Sequence, residues 1–387
     1  MKRPQIKKVA DEPSWIVRNG NVELALSQLG GHMAPVRFYL HGPGKPLQPY
    51  YVSPWQGEKL KIDEPVLAPL RGDFFCMPFG ANAPARGKAH KVHGEPAGSR
   101  WRLVGTEQDG DVLSLTTSMI TQVMPGQITK KLMLVEGHNV VYSQHVLEGY
   151  SGRAPLGHHA TLDLSEQRTE SVLVSTSKFE IGRTAPTPAG QPGGPVCEYQ
   201  SLAIDEPFSD LKRVPLIWKH IPYGDCTSFP TRKGFTDVLG VFKRPGSTPA
   251  WTTAVFSSRG FLWFSLKDPS VLPATVFWMA NAGRHGPPWN GRNCCIGLED
   301  VCAFFAEGIG PSNSQNVINR AGIATTMPLG KTKPKVVNYI QGVQKVPPGF
   351  GRVKTVRFSP GKVTFVSQGG KEASAEVSHE FLATGLL

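Results

Sequence analysis

Apolar and polar residues alternate along most of this chain, and the alternation has a period of two. Val22, Leu24 and Leu26 share one side of a run whose other side holds Glu23 and Ala25. Leu113 and Leu115 share a face after the turn Asp109-Gly110. Residues 128–135 and 140–147 flank the turn Glu136-Gly137-His138-Asn139, which predicts a hairpin. A second hairpin is predicted from residues 254–256 and 261–266 around Ser257-Ser258-Arg259-Gly260, and a third from 353–358 and 363–366 across Pro360-Gly361. Period-two runs bounded by turn residues predict antiparallel sheets. Helical signals are sparse: residues 303–307 and 313–321 each predict a short turn of helix, the second capped by Ser312.

The 42 Gly and 34 Pro among 387 residues are spread between the apolar runs, as many short strands joined by turns require. The loosest stretch, residues 185–195, reads as a surface loop with strand-like flanks, so it divides nothing. The expectation is an all-β protein, a large antiparallel β-sandwich with a few short helices. Residues 1–14 would form a basic tail and residues 15–387 a single domain, with residues 345–387 a candidate β extension.

The formal net charge of +12 changes this picture little. Apart from Lys2, Arg3, Lys7 and Lys8, the basic residues are scattered, and no recognition helix, zinc finger or RNA-binding aromatic motif accompanies them. Neither nucleic acid nor membrane is expected as a partner, since no apolar run approaches a membrane-spanning length. The six cysteines (Cys76, Cys197, Cys226, Cys294, Cys295 and Cys302) lack metal-ribbon spacing, and the neighbours Cys294 and Cys295 would face opposite sides of a strand. Free thiols in a reducing compartment and no visible secretory signal make a cytoplasmic location the expectation.

Four polar segments interrupt the strand pattern. In Arg71-Gly72 a guanidinium would project from a strand end, where its fixed fork suits hydroxyl or carboxylate oxygens. In His90-Lys91-Val92-His93-Gly94 an imidazole stands beside a glycine, and the backbone can approach a ligand closely there. His90 and His93 have metal-like spacing, yet on a strand they would face opposite ways with no third ligand nearby. Of the neighbours His158 and His159, one at most can enter a given site. Last come Trp289 within Arg284-His285-Gly286-Pro287-Pro288-Trp289-Asn290-Gly291-Arg292, a candidate face for stacking on a sugar ring, and Glu299 on an apolar strand. Partial burial would raise the pKa of Glu299 toward the value a general base needs, while an ion pair with Arg292 or Arg284 would be the plain structural alternative.

In this order the segments resemble the aldose 1-epimerase (galactose mutarotase-like) superfamily, including its hexose-6-phosphate epimerase branch. Arg71-Gly72 with Pro78-Phe79-Gly80, His93-Gly94 followed by Trp101, His159 and Gly297-Leu298-Glu299 carry the resemblance, together with Leu29-Gly30-Gly31 near the start. It implies the galactose mutarotase-like supersandwich and an isomerase of carbohydrate metabolism that interconverts anomers without cofactor or metal. In that reading Glu299 takes the proton of the anomeric hydroxyl and His159 protonates the ring oxygen, from opposite sides of a pocket one sugar ring wide. Arg71 and His93 hold hydroxyls, Asp225 (with Asp237 second) stands for the substrate-binding Asp, and Trp289 and Arg292 border the cleft. Ala160-Thr161-Leu162 after His159, and Asp300 after Glu299, depart from the family pattern. A non-catalytic carbohydrate-binding protein on the same scaffold is the alternative, and an anionic sugar is compatible with Arg71, Arg284 and Arg292 beside one cleft.

Overall fold

The computed structural model describes residues 4–40, 45–81, 83–84, 87–188 and 198–387. Strand accounts for 48% of the described residues and helix for 6%, so the layers are sheet on sheet. Among the described residues there are two broad antiparallel sheets. One has eight strands and runs Pro207–Phe208, Ile181–Thr184, Phe235–Phe242, Ala274–Asn281, Cys294–Cys302, Leu156–His158, Phe75–Cys76, with Ala160–Asp163 also paired to Cys294–Cys302. The other has nine and is built around Ala250–Phe256, Phe261–Lys267, Lys335–Lys345 and Val140–Glu148. The three hairpins expected from the alternation are present, with registers such as Met133↔Tyr142, Phe256↔Phe261 and Ser359↔Lys362.

Alternation decides which side chains meet between the sheets. Along Ala274–Asn281, Phe277 and Met279 enter the core between the sheets, whereas Val276, Trp278 and Ala280 join a second apolar cluster on the outer face. Along Cys294–Cys302 the alternation continues: Ile296 and Leu298 face inward, Cys295 and Val301 outward. The strands Val353–Ser359, Lys362–Ser367 and Glu372–Glu376 form a meander whose Val363 and Phe365 cover the outer face of the nine-stranded sheet at Phe264 and Ile340.

Three expectations need correction. The basic N-terminal segment is not a tail beyond residue 4. Gln5–Val9 pairs with Glu12–Arg18 across a two-residue turn in which Ala10 and Asp11 both take positive φ (44° and 69°), the geometry of a tight hairpin. Ser312 does not cap the helix Val317–Arg320. Asn316 does, accepting from the N–H groups of Ile318 and Asn319 while Asn319 returns a bond to its backbone. Residues 303–307 make bends and turns instead of helix. The expected loop at 185–195 lies largely outside the described residues, as does Cys197; the other five cysteines are free thiols. No helix among the described residues is long and apolar enough to cross a membrane.

Candidate active site

The site is a row across the outer face of the eight-stranded sheet. Gly240 pairs with Val276, and Val276 with Glu299. Extending the register Ala160↔Leu298 by one pair sets His159 opposite Glu299, and the His159 N–H donates to the Phe74 carbonyl at 2.9 Å. The His159 imidazole therefore meets the Glu299 carboxyl as a cross-strand neighbour, Nε2 to Oε1 3.1 Å. Its Nδ1 lies 3.1 Å from the Thr161 hydroxyl, and its ring stacks on Phe74 with centroids 4.5 Å apart. Phe74 stacks in turn on His32, so the imidazole has little freedom to rotate. His93 stands edge-on to His159 at 4.9 Å.

Glycine makes room for the carboxyl. A Cβ at Gly297 would lie 2.5 Å from Glu299 Oε1 and 3.1 Å from Trp278 Cβ. The Glu299 side chain thus folds back along its own strand over a residue that has no side chain. Gly297→Ala is expected to displace the carboxyl and lower any turnover that depends on it by about 10²-fold, the usual cost of a misplaced group. Overpacking at this site should cost no more than about 1–3 kcal/mol of stability. Thermal melting and turnover measured on the same preparation check this, and a variant with wild-type turnover would show that the carboxyl position does not matter.

Burial dominates the electrostatics. Glu299 is 2% exposed and His159 5%. Desolvation pushes the Glu299 carboxyl well above the usual carboxylate range, with Arg284 opposing weakly, and it pushes the His159 imidazole well below the usual histidine range. The two shifts agree in direction: burial favours the uncharged form of each group, a protonated carboxyl beside a neutral imidazole. His93 is driven down to about 3 by desolvation and then by Arg284, so it is a neutral imidazole near pH 7.

The same strands carry a second polar cluster on their inner face. His158 turns away from the cavity, its Nδ1 2.8 Å from Asp73 Oδ2 and its ring stacked on Tyr339. Asp300 is fully buried beside the Lys267 ammonium at 2.5 Å and accepts from Ser265 (2.6 Å), Thr275 (2.7 Å) and Tyr339 (2.8 Å). The dyads 158/159 and 299/300 thus divide between core and cavity.

His159, Glu299, His93 and Trp289 line one cavity of about 410 Å³, together with Arg284 and Glu198. Trp289 is a buried wall, edge-on to Trp55 and Trp278, not the exposed face expected of it. Arg71 is elsewhere. Its guanidinium is buried under the N-terminal hairpin, donating to the carbonyls of Val9 (2.7 Å), Ala10 (2.9 Å) and Pro69 (3.0 Å) and to Gln56 Oε1 (2.6 Å). The chain turns at Gly72, φ +50°, where a Cβ would meet the Met33 carbonyl at 2.0 Å, and this carries Arg71 away from the cavity. Asp225 is exposed and closes its own turn by accepting from the N–H and hydroxyl of Thr227. Asp237 is buried against the N–H groups of Ser201 and Leu202. Arg292 lies on the surface in a fork with Glu58, at 2.5 and 2.7 Å.

Sequence reasoning missed three contributors. Trp278 lines the cavity because the alternation along its strand puts it beside Val276, a signal present but unused. Phe74 was hidden among apolar neighbours. Glu198 forms a close ion pair with Arg284, whose guanidinium lies over the rings of Trp278 (5.4 Å) and Trp289 (4.7 Å). Nothing local in the sequence marks Glu198.

Two broad antiparallel sheets are packed face to face, with the titratable row on the outer face of one, and the chain has the galactose mutarotase-like fold. It is similar to a candidate mutarotase from Salmonella typhimurium at 11% identity, TM-score 0.57, over 89% of this chain and 94% of the other. A candidate aldose 1-epimerase from Klebsiella pneumoniae matches at 11% identity, TM-score 0.58, over 87% and 80%. A galactose mutarotase-like protein from Clostridium acetobutylicum matches at 12% identity, TM-score 0.55, over 89% and 99%. No family model and no curated protein matches the sequence. Likeness at this identity defines the fold; what the site does rests on its own residues.

Proposed function

We propose that this protein is a sugar isomerase that interconverts the anomers of an aldose, with Glu299 and His159 as the proton-transfer pair. The observation that carries the reading is the 3.1 Å contact between a buried carboxyl and a buried imidazole facing one cavity. The two groups are in contact, not on opposite sides of a ring-wide pocket. Neighbouring groups can serve the two oxygens together, because the anomeric oxygen O1 and the ring oxygen O5 hang from the same carbon.

In the ring-opening step Glu299 takes the O1 proton as the C1–O1 double bond forms. The C1–O5 bond breaks, its electron pair goes to O5, and O5 receives the proton of His159 Nε2. Rotation about C1–C2 presents the other face of the aldehyde, and the reverse transfers close the ring. The step starts from the minor carboxylate–imidazolium form, reached when the Glu299 proton crosses the 3.1 Å contact to His159 Nε2, and it returns the pair to carboxylic acid and neutral imidazole, the form burial favours. His93, neutral and edge-on to His159, offers a hydrogen bond to the developing oxyanion without adding charge. Arg284, the guanidinium at the cavity among the described residues, is already compensated by Glu198, which supports an uncharged sugar over an anionic one.

The test is anomer exchange of free aldoses, followed by polarimetry or by NMR saturation transfer. Because the raised carboxyl and the lowered imidazole share one proton, kcat/KM should be flat between about pH 4.3 and 6.5, where free Glu and His titrate. The acid limb should fall below that interval and the alkaline limb above it. A midpoint inside the interval would show two independent groups. Sugar binding with no acceleration of exchange would favour the carbohydrate-binding reading of the same scaffold.

A further inference from the structure

The lining of the cavity is more aliphatic than a free aldose can use. The segment 64–70 and the neighbouring Val92 contribute Val66, Leu67, Leu70 and Val92, and the sheet contributes Val238 and Val276. Leu67, Val92 and Val238 are only half-buried, so apolar surface remains turned toward the cavity. The Arg284 guanidinium already lies over the rings of Trp278 and Trp289, and branched aliphatic side chains offer a sugar hydroxyl no partner. A hydroxyl buried against them loses its water and gains nothing in return.

The polar groups gather on fewer residues. The Glu299–His159 pair and His93 serve the C1 end. Glu198 Oε2 and Trp278 Nε1 are buried atoms without a hydrogen-bond partner among the described residues, one an acceptor and one a donor. Both residues line the cavity beside Arg284, but these two atoms are themselves covered by protein, so few polar groups there are open to a ligand. The volume, about 410 Å³, falls in the range that takes drug-sized ligands, which are larger than a lone pyranose.

We propose that the cavity takes an uncharged aldose carrying an apolar substituent away from C1, such as an alkyl ether, an acyl ester or a deoxygenated carbon. The inference rests on the isomerase reading for the role of the C1 end and goes beyond it for the rest of the ligand. The substituent would lie against Leu67, Val92 and Val238, with the C1 end of the sugar at Glu299, His159 and His93.

The experiment compares glucose, 6-deoxyglucose, 6-O-butyrylglucose and glucose 6-phosphate on the full chain. Binding is read from indole fluorescence, and turnover from anomer exchange. Butyrylglucose should bind at least tenfold tighter than glucose, with 6-deoxyglucose between them and glucose 6-phosphate weakest. Leu67→Ser should narrow the ratio between butyrylglucose and glucose. Equal binding of glucose and butyrylglucose, or tightest binding of the phosphate, overturns the inference. The two readings fail separately: exchange with no preference for the apolar substituent leaves the isomerase and removes its substrate class. The expected binding order with no exchange removes the isomerase and keeps the ligand class.

Discussion

Glu299→Gln should slow anomer exchange by about 10²–10⁴-fold, the share that a positioned acid–base group supplies, while leaving the protein folded and more stable than the parent. The amide matches the protonated carboxyl in shape and can still donate toward His159 Nε2, so the cross-strand contact survives. It cannot take a proton from O1. The stability gain has a definite pH dependence. The Glu299 pKa is raised in the folded chain, so the folded state holds a proton that the unfolded chain releases above about pH 4.3. The carboxyl's favourable contribution is complete below that pH and is lost as pH rises through the folded-state value. The advantage of the Gln variant should therefore grow from acid toward neutral pH. Thermal melts at several pH values, read beside exchange rates, check both halves. Wild-type exchange in the variant would remove Glu299 from the mechanism, and a constant stability difference across pH would remove its raised pKa.

Lys267→Met is expected to give the largest loss of stability, about 3–5 kcal/mol, because it strands the Asp300 carboxylate in the core. Desolvation alone would push Asp300 upward. The Lys267 ammonium and the hydroxyls of Ser265 and Thr275 reverse this and hold it below the usual carboxylate range. The ammonium, itself 3% exposed, also donates to the Ala274 carbonyl (2.5 Å) and the Thr275 hydroxyl (2.7 Å). Pairing the change with Asp300→Asn should recover much of the loss, since no charge then remains buried. Denaturant midpoints of the two single variants and the double variant measure the coupling. A single-variant loss below about 1 kcal/mol would mean that the carboxylate finds another partner or a proton.

How far the sequence discloses this molecule depends on the range of the interaction. Parity is local. The alternation that puts Leu298 in the core puts Glu299 on the outer face, and the same rule separates His159 from His158 once a register is given. Gly297 before Glu299 is equally legible as a place where a side chain has been removed to seat a neighbour. Arg71 shows the opposite case. Whether an Arg before a Gly enters a cleft or passes beneath a hairpin depends on carbonyls at Val9 and Ala10, some 62 residues earlier, which no local pattern announces. Asp225 failed for a simpler reason: a short acid near its own backbone is most readily used to close a turn. Glu198 escaped notice because its meaning comes wholly from Arg284, a residue on a different segment.

The back-to-back dyads have a consequence for how the molecule tolerates change. Sliding one strand by a single residue would carry its inner member, Asp300 or His158, toward the cavity and drive its outer member, Glu299 or His159, into the layer of Lys267 and Tyr339. An insertion or deletion there cannot damage the reacting face and spare the interior, because both are written on the two sides of one ribbon. A lineage diverging from this chain would therefore lose this chemistry more readily by substitution than by a change of length. A misthreaded copy would unfold before it could persist as an inert look-alike.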